Sequence, residues 1–114
     1  ATLAANPDLA GIFAANLVTG EGAASALRSA NKVGAVKLVE FDASPAQVEA
    51  LRAGTIQGLV SQEPGEIGRL GVQQAVNALT GKANEQRIRT ELVEVTKENV
   101  DDPAVAKHIY KSQC

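Results

Sequence analysis

The stretch Val36-Lys37-Leu38-Val39-Glu40-Phe41-Asp42-Ala43-Ser44-Pro45-Ala46-Gln47 decides the fold. Val36 to Asp42 is a short apolar segment that reads as a strand. A strong helix start follows at once: Ser44 as N-cap, Pro45 at the first helical position, and Gln47 completing a capping box. Strand thus passes directly into helix. Val48 and Leu51 point inward from that helix, and Gly54 stops it in the left-handed conformation that glycine adopts cheaply.

The same unit recurs on either side. Upstream, Gly11 to Asn16 is a short continuous apolar run, the pattern of a buried parallel strand. Thr19 or the following glycines open a helix through Asn31, with Ala23, Ala26, Leu27 and Ala30 on one face, and Val33-Gly34 closes it. Downstream, Ile56 to Gln62 is a third strand. Pro64 starts a longer helix with an apolar stripe of Ile67, Gly71, Val72, Ala75, Val76 and Leu79, and Gly81 ends it. This alternation predicts an α/β fold: a parallel sheet of at least three strands, right-handed crossovers, and helices on both faces.

The flanks are less regular. Ala1 to Ala5 read as the end of a helix that Asn6-Pro7-Asp8 breaks. Lys82 to Gln86 is loop-like, Ile88 to Thr96 is extended, and Asp101-Asp102-Pro103 caps a last helix carrying Val105 and Ile109, expected to run to Tyr110.

Composition narrows the function classes. A chain of 114 residues is one domain by length, and 45% hydrophobic content argues against disorder. Two Phe and one Tyr do not make a base-stacking surface. A net charge of −2 and a pI near 5.4 lack the electrostatic footprint of a nucleic-acid or anionic-membrane binder. The single cysteine, Cys114, has no partner for an intramolecular disulfide and reads as a free thiol. No 18-residue apolar run exists, and the N-terminus lacks a signal peptide pattern, so an exported precursor would need one upstream of Ala1.

Each of the three strands ends in a polar residue: Asn16, Asp42 and Gln62. In an open parallel sheet, ligands bind in the crevice outside the carboxyl ends of the strands. Two amides and one carboxylate beside Phe41 suit an uncharged polyol better than an anion. Each residue also has a plainer reading: Asn16 as a turn-backbone acceptor, Asp42 as a cap, Gln62 as a solvated amide, Phe41 as core. Strict alternation puts Phe41 and Asp42 on opposite faces, so both reach one ligand only if the strand is already turning.

Catalysis finds little support. Asp42 lacks the paired acid and nucleophile or base that a glycosidase requires, and His108 reads as a surface or packing residue. Neither a metal-spaced cluster nor a P-loop or nucleophile elbow is present, so no cofactor is expected. Gly20-Glu21-Gly22 mimics a dinucleotide fingerprint, with Glu40 or Asp42 as the ribose-binding acid. However, Ser25 replaces the third glycine and the turn does not come directly off the strand.

Taken in order, Phe13-Ala14-Ala15-Asn16, Glu40-Phe41-Asp42, Ser61-Gln62 and Glu66-Ile67-Gly68 resemble the C-terminal half of the ribose-binding-protein-like periplasmic sugar receptors. These are the substrate-binding subunits of bacterial ABC sugar importers. The resemblance covers Asn6-Pro7-Asp8 through Thr96-Lys97-Glu98-Asn99-Val100. It implies a two-lobed protein of the type I periplasmic binding protein fold that closes on a sugar and delivers it to a membrane permease. It further implies that Asn16, Asp42 and Gln62 hydrogen-bond sugar hydroxyls and that Phe41 forms pocket wall. Leu17 stands where the ribose-type receptors usually have Asp, and Glu40 where they often have Gly, so ribose itself is not implied.

The resemblance divides the chain into 1–62 as C-terminal-lobe units, 63–91 as a hinge crossing and helix against the N-terminal lobe, and 92–114 as return strand and last helix. It makes the chain a fragment of an extracytoplasmic protein, lacking that lobe. The stripe on the Pro64 helix would then be uncovered, so the helix is expected to repack on its own sheet, or the fragment to dimerise or swap elements. The alternative is the effector core of a sugar-responsive LacI-type repressor, which shares this lobe architecture.

Overall fold

Lys37–Phe41 forms a strand and Pro45–Arg52 the helix that follows it in the computed structural model, which describes residues 2–111. Cys114 lies outside the described residues. The capping box is formed in both directions: Gln47 N donates to Ser44 Oγ at 3.2 Å, and Ser44 N donates to Gln47 Oε1 at 2.9 Å. In chain order the elements are α1 (Thr2–Ala5), β1 (Gly11–Ala14), α2 (Leu17–Ser29), β2 (Lys37–Phe41), α3 (Pro45–Arg52), β3 (Gly58–Ser61), α4 (Pro64–Leu79), β4 (Val93–Val95) and α5 (Pro103–Ala106).

The sheet order is β1-β2-β3-β4. β1, β2 and β3 are parallel, as expected, with Phe13 opposite Val39 and Phe41 opposite Val60. β4 joins β3 antiparallel, with Leu59 opposite Val95, so the sheet is mixed.

Helices were expected on both faces, and among the described residues the packed ones share one. Each step from β1 to β3 moves in the same direction across the sheet. Right-handed crossovers then lay α2 and α3 on the same side. Both helices meet Glu40: Gln47 bonds its carboxylate, and a Cβ on Gly20 would overlap it. The core lies on this face, where Leu38, Leu59 and Val95 pack with Leu27, Val48 and Leu51. The opposite face carries Phe13, 60% exposed, and the half-buried Val39, Phe41 and Val60.

Three boundaries differ from expectation. α2 starts at Leu17, two residues early, because Asn16 serves as its N-cap. It ends at Ser29, where Asn31 adopts φ 53° and closes the turn before Val33-Gly34 is reached. The last helix stops at Ala106 rather than Tyr110, and Tyr110 N instead donates to Ala43 O at 2.9 Å.

α4 does not repack on the sheet. It buries none of its residues, and Val72 and Leu79 are 66% and 87% exposed. The radius of gyration is 17.4 Å, against roughly 13 Å for a compact domain of this length.

Candidate functional site

Asp42 sits where β2 has ended and the chain turns, at φ 78°, a left-handed conformation that costs a non-glycine residue of order 1 kcal/mol or more. The surroundings hold it there. Asp42 N donates to Val60 O at 2.9 Å, while the Phe41 carbonyl accepts from Gln47 Nε2 at 2.9 Å. This turn is the condition under which Phe41 and Asp42 can serve one crevice. Phe41 is half-buried on the sheet face that also carries Phe13.

The Asp42 carboxylate collects donors from three other segments. Leu17 N donates to Oδ2 at 3.0 Å; Gln62 Nε2 and the Tyr110 hydroxyl donate to Oδ1 at 2.8 and 2.9 Å. The ends of β1, β2 and β3 thus converge on one half-buried carboxylate. Asp42 and Gln62, predicted as partners in one crevice, are in direct contact. Asn16 adjoins them through the Leu17 amide, but its own Oδ1 accepts from Thr19 N at 2.9 Å as a helix cap. Its exposed Nδ2 stays open to a ligand oxygen.

Tyr110 was not foreseen. It is the chain's one tyrosine, 68 residues from Asp42, and no spacing rule links the two. Its hydroxyl is pushed above the ordinary tyrosine range, first by burial and then by donating to the Asp42 carboxylate. The Tyr110 oxygen also accepts from Gln62 N at 3.4 Å. Sequence spacing likewise shows no metal cluster, yet the fold draws Glu63, Glu91 and His108 together behind this site.

Beneath the crevice, Glu40 is fully buried. Its Oε2 accepts from Gln47 Nε2 at 2.9 Å, while Oε1 has no partner among the described residues. Burial raises its pKa, the Gln47 hydrogen bond opposing. The same Gln47 amide holds the Phe41 carbonyl, so Glu40 braces the turn that presents Asp42.

Asp42 is hydrogen-bonded on both oxygens, with the Asn16 amide nearby. The site offers hydrogen-bond acceptors and donors, with two phenyl rings on the neighbouring sheet face. Known proteins share this fold. A structure from Agrobacterium vitis, an ABC transporter solute-binding protein bound with α-D-tagatopyranose, is 43% identical, with TM-score 0.89 over 97% of this chain and 37% of its own. A second from the same organism, with bound D-fucose, is 36% identical, with TM-score 0.84 over 96% of this chain and 38% of its own. The ribose import binding protein of Haemophilus influenzae is 37% identical over 79% of this chain and 30% of its own length. The chain therefore spans about a third of the length of these relatives. Residues 1–83 match the periplasmic binding protein domain, and the chain belongs to that family.

Proposed function

We propose that this chain supplies one wall of the sugar-binding cleft in the solute-binding component of a bacterial ABC importer. The ligand is a monosaccharide or a related polyol. Residues 63–91 would form the hinge crossing and a helix against a second lobe, and residues 92–114 the return strand and last helix. The protein would act outside the cytoplasm and hand its ligand to a membrane permease, without catalysing a reaction. One observation carries this reading: Leu17 N, Gln62 and Tyr110 converge on Asp42 at the carboxyl ends of three adjacent strands. Relatives of the same fold, named for sugar import or solved with tagatose and fucose, support it over a repressor core.

In this reading Asp42 accepts from a sugar hydroxyl, Asn16 and Gln62 supply amides, and Phe41 lies along the sugar's apolar face. Neutral hydroxyl donors match a charged acceptor that is already partly desolvated. Saturation-transfer NMR on a panel of pentoses, hexoses and polyols tests it, since that method reads weak binding by half a cleft. Transfer to at least one sugar, with none to NAD, is the expected result. Transfer to NAD alone would replace this reading with a dinucleotide site.

A further inference from the structure

We propose a divalent-cation site of the zinc class formed by Glu63, Glu91 and His108. Each residue offers one ligand atom, and the three atoms lie within 4.8 Å of one another. They come from three separate segments: the turn into α4, the approach to β4, and the turn after α5.

Three features point to a ligand rather than a chance surface cluster. First, the His108 side chain is only 6% exposed, and its Nδ1 faces Glu63 Oε1 at 3.5 Å. That is long for a hydrogen bond. It is close to the edge of a tetrahedron around zinc, about 3.4 Å for ligand bonds near 2.1 Å. Second, Glu63 occupies the N-cap position of α4, yet its carboxylate makes no capping bond and turns to His108 instead. Third, a cavity of about 340 Å³ opens beside Glu63 and His108, with room for water to complete the coordination sphere.

Charge and donor type select the metal. Two carboxylates and a neutral imidazole balance a divalent ion. The imidazole favours zinc and its transition-metal neighbours over calcium or magnesium, which prefer all-oxygen sets. Glu91 is exposed, so its side chain is free to swing the last ångström onto the ion. Lys107 and Lys111 border the same cavity and supply no ligand. Bound metal would staple residue 63 to residue 108 beside Gln62 and Tyr110. The site itself stands whether or not the crevice binds sugar.

Zinc titration calorimetry on the full chain, in a Cys114→Ser background that removes the one thiol, tests the proposal. Saturable binding of a single zinc per chain is expected at micromolar concentration. Glu91→Gln should weaken it by at least about tenfold while leaving the circular dichroism spectrum unchanged. Zinc should raise the melting temperature of the Cys114→Ser chain more than that of Glu91→Gln. Glu63→Gln provides a second variant that spares the buried histidine. Absence of saturable binding, or affinity in Glu91→Gln and Glu63→Gln equal to that of the Cys114→Ser chain, would overturn the site.

Discussion

The Gln62 side-chain amide donates to Asp42 Oδ1 at 2.8 Å, joining the ends of β3 and β2. An ionised carboxylate can accept about four hydrogen bonds. Asp42 already accepts three, from Leu17 N, Gln62 and Tyr110. Its geometry is therefore fixed by the chain itself, which would leave little ordering cost for the proposed binding.

Asp42→Ala should weaken sugar binding more than Gln62→Ala or Asn16→Ala in a two-lobed receptor carrying this sequence. Hydrogen bonds to a charged group contribute about 1.5–3 kcal/mol, against about 1 for neutral pairs. Titration calorimetry on the three variants ranks them. A rank order with Asp42→Ala mildest would remove the carboxylate from the site.

Tyr110 is the chain's single tyrosine and tryptophan is absent, so its ionisation can be followed alone by ultraviolet absorbance. Wild type should titrate above the ordinary value of 10.0. Asp42→Asn should titrate lower than wild type, since the carboxylate's hydrogen bond and charge both favour the protonated phenol. Burial, the larger cause, should keep that variant somewhat raised. With the folded value raised, the stability this group contributes is present at neutral pH and lost as pH climbs through that value. Identical titration curves would mean the Tyr110–Asp42 bond does not form in solution.

Glu40 also has a raised folded pKa, and the sign is the same. Its contribution is fully present below the ordinary glutamate value of 4.5 and is lost as pH rises through the folded value. Glu40→Gln should flatten that decline, so its advantage over wild type grows from pH 4 toward pH 7 in urea melts. Gly20→Ala, which drives a methyl into the Glu40 carboxylate, should destabilise by about 1–3 kcal/mol. Adding Glu40→Ala should recover much of that loss. Additive effects would show that the two positions do not touch.

The exposed stripe of α4 should govern self-association. Val72→Lys with Leu79→Lys should lower the average mass seen by light scattering at high concentration, because such apolar patches are rarely left open by monomers. Equal masses for variant and wild type would show that the stripe does not mediate association.

Much of this was legible along the chain because the signals were local. The Ser44-Pro45-Gln47 box fixed the start of α3, and the strand ends brought Asp42 and Gln62 into contact. Local signals also misled where two residues compete for one role. Asn16 took the cap that Thr19 was expected to open near, so α2 began earlier. What could not be read depends on chain folding over long separations. Tyr110 reaches Asp42 only because its backbone docks on Ala43. Glu63, Glu91 and His108 meet only after β4 pairs with β3. The one-sided packing of helices follows from strand order, which hydrophobic periodicity does not encode.

The most direct test is a two-dimensional amide NMR titration of the chain with D-tagatose and D-fucose, compared with its Asp42→Ala variant. The account predicts concentration-dependent shifts concentrated at Asn16, Leu17, Phe41, Asp42 and Gln62 in wild type. It predicts that these shifts vanish in Asp42→Ala while the rest of the spectrum is retained. Shifts that persist in the variant, or that map instead to the exposed sheet face around Phe13 and Val39, would contradict it.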